Sequence, residues 1–342
     1  MFAFYKVIGL LLTPTLLLLG SWQSYAQDTL SVRGGIELDK AEVRWVSQWP
    51  LKDGKQKSMD MNGKIRKLIF GARNQTLTRP VSMVTNKQGN YWILDQQSSA
   101  LFQVTEGQGK VPRFIEKKGY DLTSLVGICN FRPGEMLFTD THLNKIFLIN
   151  PEKKICEVLN DSLKLDKPTG IAYSAREHEI WVTETGKHRI VILTEGGELK
   201  RTIGSRGNAK GEFNFPTQLT IDKNGLIEIV DAMNFRVQVF NEQGEVVSVF
   251  GSNGDGSGYF ASPKGIATDS YGNIYVADAL FHVVQIFDVS GRFLYTFGAQ
   301  GQGEGEFWMP SGVYIDDKDR IYVSDCYNSR IQVFQLIAGG KK

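Results

Sequence analysis

The sequence predicts an all-β fold, a six-bladed propeller of four-stranded antiparallel blades whose ring is closed by an N-terminal strand. Three observations carry that expectation. First, segments opening with PTGIAYS at Pro168, PTQLTID at Pro216, PKGIATD at Pro263 and PSGVYID at Pro310 recur at spacings of 48, 47 and 47 residues. Two weaker copies precede them, PVSMVTN at Pro80 and LVGICNF at Leu125, so the chain holds six repeats. Second, each copy alternates β-branched and aromatic runs with turn residues. In the fifth these are GIATD, a SYGN turn, IYVAD, an ALFH turn, VVQIFD, a VSG turn and FLYTFG. Four antiparallel strands in about 47 residues make one blade. Third, the last copy contains only three such runs, so its fourth strand must come from elsewhere in the chain.

The missing strand is expected from the N-terminal side. Residues 64–80, KIRKLIFGARNQTLTRP, match the strand and link ELKRTIGSRGNAKGEFNFP of residues 198–216. Pairing them with the C-terminal strands removes the open edges that invite aggregation. Residues 27–63 lie outside the repeat; within them residues 42–49, with Val43, Trp45, Val46 and Trp49, are expected to add an outer strand or to pack on a blade. The expected organisation is a signal peptide over residues 1–26, an N-terminal extension over 27–63, the propeller over 64–338 and a short tail over 339–342.

Residues 1–26 have the layout of a secretory signal. Lys6 is the one charge, an apolar run covers residues 7–19, and Ser24 and Ala26 are small residues where a signal peptidase reads them. An apolar core of about 13 residues, interrupted by Pro14, falls short of the roughly 20 needed to cross a bilayer. An exported protein, periplasmic or extracellular and without a membrane span, is therefore expected. Without Lys6 the chain carries 38 basic and 37 acidic side chains. That balance gives no bulk attraction to nucleic acid, whose binding rests on phosphate neutralisation.

The 42% hydrophobic content is globular, and 36 glycines suit a fold with many tight turns. Three cysteines cannot all pair within one chain. Cys129 falls on the first strand of its repeat and Cys156 on the fourth, about 14 Å apart at roughly 4.8 Å per strand, beyond the reach of a disulfide. All three are expected to be free, with Cys326 the most reactive, in a surface turn beside Asp325.

The runs GNIYVAD, DRIYVSDCYNSRIQVF and FGAQGQGEGEFWMPSGV resemble NHL repeats, which join a GNIYVAD-type strand, an N-x-R turn, an IQVF-type strand and a G-x-F-x-x-P link. The resemblance covers about residues 64–337 and is strongest in the last four copies. It implies a propeller, usually six-bladed, and implies little about function.

Strand direction fixes which residues share a face. The end of each second strand, the start of the third, and the link from a fourth strand to the next blade's first strand all lie together, here called the upper face. Six acids end the second strands there: Asp95, Asp140, Glu184, Asp231, Asp278 and Asp325. Their recurrence once per repeat is expected of carboxylates accepting turn N–H groups. Lys145, Arg189, Arg236 and Arg330 follow at one common offset, with Asn144, His188 and His282 one position earlier. The long basic side chains either pair with the turn acids or face a ligand. In the links, the Phe of G-x-F is expected to pack between blades, which covers Phe213, Tyr259 or Phe260, and Phe307. Phe215, Trp308 and Met309 are left over, and aromatic residues beside arginines are the composition of interface hot spots.

No nucleophile elbow, HExxH, phosphate loop or dinucleotide fingerprint occurs. His142, His188 and His282 share the upper face and form a candidate zinc set, although they come from three blades at unequal offsets. The predicted first strands carry no Asp or Glu, so a calcium-dependent lactonase site on the axis lacks its ligands. The expected function is a binding or scaffold module for a protein, peptide or glycan, without a cofactor. Its candidate binding residues are Arg189, Phe215, Arg236, His282, Trp308, Met309 and Arg330. The alternative is a metal-dependent propeller lyase or lactonase acting on a small molecule.

Overall fold

A computed structural model of the chain describes residues 42–50, 77–85, 90–105 and 120–337. Blade 1 comprises β2 (Pro80–Thr85), β3 (Asn90–Asp95) and β4 (Ala100–Thr105). Blade 2 comprises β5 (Leu125–Asn130), β6 (Met136–Asp140), β7 (Lys145–Asn150) and β8 (Ile155–Val158). Blade 3 comprises β9 (Pro168–Ser174), β10 (Glu179–Glu184), β11 (Arg189–Thr194) and β12 (Leu199–Ile203). Blade 4 comprises β13 (Pro216–Ile221), β14 (Ile227–Asp231), β15 (Arg236–Phe240) and β16 (Val246–Phe250). Blade 5 comprises β17 (Pro263–Thr268), β18 (Ile274–Asp278), β19 (Val283–Phe287) and β20 (Phe293–Phe297). Blade 6 comprises β21 (Pro310–Ile315), β22 (Arg320–Asp325) and β23 (Arg330–Ile337), with β1 (Glu42–Trp49) as its outermost strand. The strand pairings within the blades are antiparallel, and each first strand touches those of the blades before and after it, β21 meeting β2.

Ring closure is thus N-terminal, but the strand that closes the ring is β1, from the stretch expected to be an extension. Residues 64–76, the strand expected there, lie outside the described residues, as do the signal, residues 1–26, and the tail, 339–342. β1 runs from Glu42 opposite Ile337 to Trp49 opposite Ile331, with a bulge between Trp45 and Ser47. Trp49 anchors it, its ring 4.3 Å from Tyr91 of blade 1 and 5.9 Å from Tyr322 of blade 6.

The core is divided among the junctions, one hydrophobic cluster for each neighbouring pair of blades. Strand alternation explains this, because successive side chains leave opposite faces of a blade. Ile227 and Ile229 of β14 join the cluster with blade 3, while Val230 joins the cluster with blade 5. The G-x-F phenylalanines Phe213, Phe260 and Phe307 are fully buried in these wedges, each contributing about 1.5–3 kcal/mol of burial. In blade 5 the wedge residue is therefore Phe260, and Tyr259 is exposed.

Near the axis the blades approach closely. A Cβ on Gly170 would lie 2.7 Å from the Thr217 carbonyl oxygen of the next first strand, and one on Gly312 would lie 2.4 Å from that of Val81. Gly127 and Gly265 hold the same repeat position with the same crowding. Hydroxyls bridge neighbouring first strands here: Thr139 donates to the Thr169 carbonyl at 2.6 Å and Thr183 to that of Thr217 at 2.8 Å.

All three cysteines are free. Cys326 is not the exposed thiol its turn position suggested. It is buried, with Sγ 3.0 Å from the Pro80 carbonyl oxygen and 3.1 Å from Ser311 Oγ, because its turn packs down onto the start of blade 1.

Candidate functional site

The six strand-ending acids are all buried and build the upper face. Asp278 shows the arrangement most simply. Its carboxylate accepts backbone N–H groups from Ala261 and Ser262 in the preceding link, at 2.7 and 3.1 Å, and from Leu280 and Phe281 in its own turn, at 3.1 Å each. Asp140 does the same with Thr123, Ser124, His142 and Leu143. Each acid thus ties a link to a turn, the structural role its recurrence predicted.

The arginines at the shared offset complete these ties. Arg330 is buried; it pairs with Asp325 at 2.7 Å and donates to Gln48 Oε1 and to the carbonyls of Gln302, Gly303 and Glu306 at 2.8–3.0 Å. Arg236 pairs with Asp231 at 2.8 Å and reaches the carbonyls of Asn208, Ala209 and Glu212. Arg189 pairs with Glu184 at 2.6 Å and stays about one-third exposed. Of the two expectations for these basic residues, pairing with the turn acids is the one seen for all three arginines, and Arg330, a candidate binding residue, is buried and presents no free surface.

The histidines divide similarly. His188 Nδ1 accepts the Phe215 N–H and His282 Nδ1 accepts the Met309 N–H, each at 3.1 Å. The Phe215 and Met309 backbones are left-handed, with φ of 52° and 53°. Asn144 Oδ1 serves the same purpose for Lys167, also left-handed. The Nδ1 lone pairs of two of the three candidate zinc ligands therefore hold the links in place. Among the described residues, no group of three or more His, Cys, Asp or Glu side chains is placed to hold a metal ion.

What remains available is apolar. Phe215 and Trp308 are exposed, as the sequence suggested, and Met309 is half-buried. Three further residues join them: Met233, Leu280 and Tyr327 are each more than half exposed. They share one repeat position, two residues past the strand-ending acid, which blades 1 and 2 fill with Gln97 and His142 and blade 3 with Gly186. The Met233 and Tyr327 N–H groups donate to the link carbonyls of Asn214 and Trp308, holding these turns against the links. The Trp308 ring lies 6.0 Å from that of Tyr327, and the Arg79 guanidinium lies over the Tyr327 ring, 5.3 Å from its centre. The upper face is thus two-sided, with an apolar arc over blades 4–6. Over blades 2 and 3 lies a shallow groove lined by polar residues including His142, Asn144, Asp166 and Lys167.

The family model of the NHL repeat matches residues 307–334, and a second, described as a 6-bladed beta-propeller, matches residues 159–237. No curated protein sequence matches the chain. Among solved structures it is similar to an auxiliary nutrient binding protein from Bacteroides thetaiotaomicron, at 13% identity and a TM-score of 0.61, over 76% of this chain and 70% of that one. It is similar to a gluconolactonase from Xanthomonas campestris at 14% identity and a TM-score of 0.60, over 77% and 88%. It is also similar to virginiamycin B lyase from Staphylococcus aureus at 19% identity and a TM-score of 0.55, over 77% and 98%. Identities this low establish the shared propeller fold alone.

Proposed function

We propose that the chain is an exported binding module that receives a protein or peptide partner on the upper face of blades 4–6. One observation carries this: Phe215, Met233, Leu280, Trp308 and Tyr327 are large apolar side chains left exposed at repeat positions where blades 1–3 place polar or small residues. Contiguous exposed apolar surface rimmed by polar groups marks interaction sites on soluble proteins. Tryptophan and tyrosine are also the residues most often dominant in binding energy. The backbone beneath is rigid, since the links and turns are fixed by buried carboxylates, so little conformational entropy is lost on docking. The structural neighbours bear names of both kinds, a nutrient binding protein on one side and a lyase and a gluconolactonase on the other, so the reading rests on the exposed residues and not on them.

The test is site-specific photocrosslinking in the cell of origin. A photoreactive residue replacing Leu280 or Tyr327 should give one discrete crosslinked product, and one replacing Tyr271, exposed in the first-to-second strand turn on the opposite face, should give none. Equal products from both faces, or none from either, would refute the assignment of this face.

A further inference from the structure

The axis of the ring holds a cavity of about 270 Å³, walled by all six first strands from their third or fourth residue onward. Because these strands run away from the upper face, the cavity lies toward the opposite face, apart from the apolar arc. At roughly 30 Å³ per water, its volume equals about nine waters. Among the described residues no Asp, Glu, Lys, Arg or His lines it, yet Ser82, Asn130, Gln218, Thr220 and Thr268 do, among aliphatic side chains.

Two features of this wall go beyond what the fold requires. At the third position of the first strand, blades 2, 3, 5 and 6 carry the glycines whose absent Cβ lets neighbouring strands touch. Blades 1 and 4 break that rule with Ser82 and Gln218, and both residues line the cavity. In a six-membered ring these blades are diametrically opposed, so a hydroxyl and a carboxamide enter the cavity wall from opposite sides. The second feature is an aromatic rim. Tyr173 of blade 3 and Tyr314 of blade 6, again an opposed pair, both line the cavity.

Each tyrosine is held in place. Tyr314 shares a hydrogen bond of 3.0 Å with Thr85 Oγ1. Tyr173 donates its hydroxyl to Glu195, whose carboxylate also takes the Arg132 guanidinium at 3.0 Å and His178 Nδ1 at 3.1 Å. The hydrogen bond from Tyr173, followed by those from His178 and Arg132, holds the Glu195 carboxyl down at about 2, so this support keeps its charge at any ordinary pH. Phe131 packs edge-on against the Tyr173 ring at 4.7 Å and fixes its tilt.

We infer that the axial cavity is a second binding site, for a small uncharged polyhydroxylated molecule of monosaccharide size. The described lining offers hydroxyls and carboxamides and no charged side chain, so phosphates, carboxylates and amines would be desolvated there without compensation. Hydroxyl and amide groups that both donate and accept are complementary to ligand hydroxyls. The aromatic rims offer faces to the apolar side of a sugar ring, in the usual mix of apolar walls with a few placed polar groups.

The experiment uses the full chain with D-glucose, D-galactose, D-mannose and myo-inositol as probes, and D-glucuronate and D-glucosamine as charged counterparts. Saturation-transfer NMR and calorimetry would be run up to about 10 mM, ten times a Kd of about 1 mM. At least one neutral probe should bind and the charged ones should not. The double variant S82G/Q218G installs the residue that the other four blades use, so the ring should fold with an unchanged melting temperature while affinity falls at least tenfold. Tyr173→Phe should also weaken binding, and Trp308→Ala should leave it unchanged. No binding by any neutral probe, equal binding by the charged ones, or full affinity in S82G/Q218G would overturn the proposal. None of these outcomes bears on the upper-face partner.

Discussion

Arginines at one repeat position should differ several-fold in their contribution to stability, and the structure sets the order. In Arg330→Ala, the buried Asp325 loses its cation, and Gln48 Oε1 and three link carbonyls lose their donor. Breaking a buried ion pair from one side costs about 3–5 kcal/mol, and the orphaned carbonyls place this variant at the upper end of that range. Arg236→Ala removes a similar set of link carbonyl bonds, but Arg236 is less deeply buried than Arg330 and its bonds include no counterpart of Gln48, so about 3 kcal/mol is expected. Arg189→Ala is mild. Its side chain is one-third exposed, and Glu184 retains Lys187 at 2.8 Å and the Asp166 N–H, so the loss should be about 1 kcal/mol or less.

Urea denaturation at fixed m-value would measure the series, with thermal melts as a second readout at roughly 2–4 °C per kcal/mol for a domain of this size class. Arg330→Lys, which keeps the charge but loses the planar fork, should fall between wild type and Arg330→Ala. An Arg330→Ala loss within about 1 kcal/mol of the Arg189→Ala loss would refute the structural assignment and return Arg330 to the ligand-facing set. A binding defect in Arg330→Ala would otherwise report a damaged blade 6 and not a lost contact. Upper-face experiments should therefore use Leu280, Trp308 and Tyr327.

Two further outcomes follow from buried ionisable groups. Glu228 takes a junction position that other blades fill with Trp92, Leu137, Trp181, Tyr275 and Tyr322; burial, reinforced by the Asp222 carboxylate, pushes its pKa well above 4.5. Folding therefore favours the protonated acid. The contribution of Glu228 to stability should be fully present below about 4.5 and fall as pH rises toward the folded-state value, so the difference in melting temperature between wild type and Glu228→Gln should change with pH over that range; a difference independent of pH would contradict it. In folded protein, Cys156 on the outer strand β8 should react with a thiol reagent before the others, because burial pushes the Cys129 thiol up to about 12 and raises that of Cys326. Unfolded, non-reduced protein should titrate three thiols, and labelling of Cys326 first would show that its turn opens.

The parts of this molecule that were legible in the sequence are those whose cause is local. Turn glycines, strand alternation and the carboxylate of each turn act within a few residues, so the six blades and the roles of Asp140 and Asp278 could be read directly. The closing strand could not. Residues 64–80 resemble a fourth strand locally, but pairing with β23 depends on contacts across almost the whole chain, and Trp49 between Tyr91 and Tyr322 decides it for β1. Nor does the shared offset say whether a guanidinium faces outward or inward: Arg330 is covered by three carbonyls of its link and by Gln48 from the far end of the chain, whereas Arg189 stays one-third exposed.

The functional signal has the opposite form. A residue type that recurs at one offset in every blade, such as the strand-ending acid, is accounted for by the common fold. A residue that departs from its own repeat is not. Met233, Leu280 and Tyr327 depart from the polar or small residues at their offset, and Ser82 and Gln218 depart from glycine at theirs. The first set is exposed on the upper face and the second lines the axial cavity. Sequence reasoning missed both sets, although aligning the six copies position by position carries the signal, and the structure gives their location. Reverting each departure to the residue of its sister blades therefore separates function from folding in a propeller: Gln218→Gly should leave the ring intact and empty the cavity, whereas Gly170→Gln would drive a Cβ to 2.7 Å from the Thr217 carbonyl oxygen and force the blades apart.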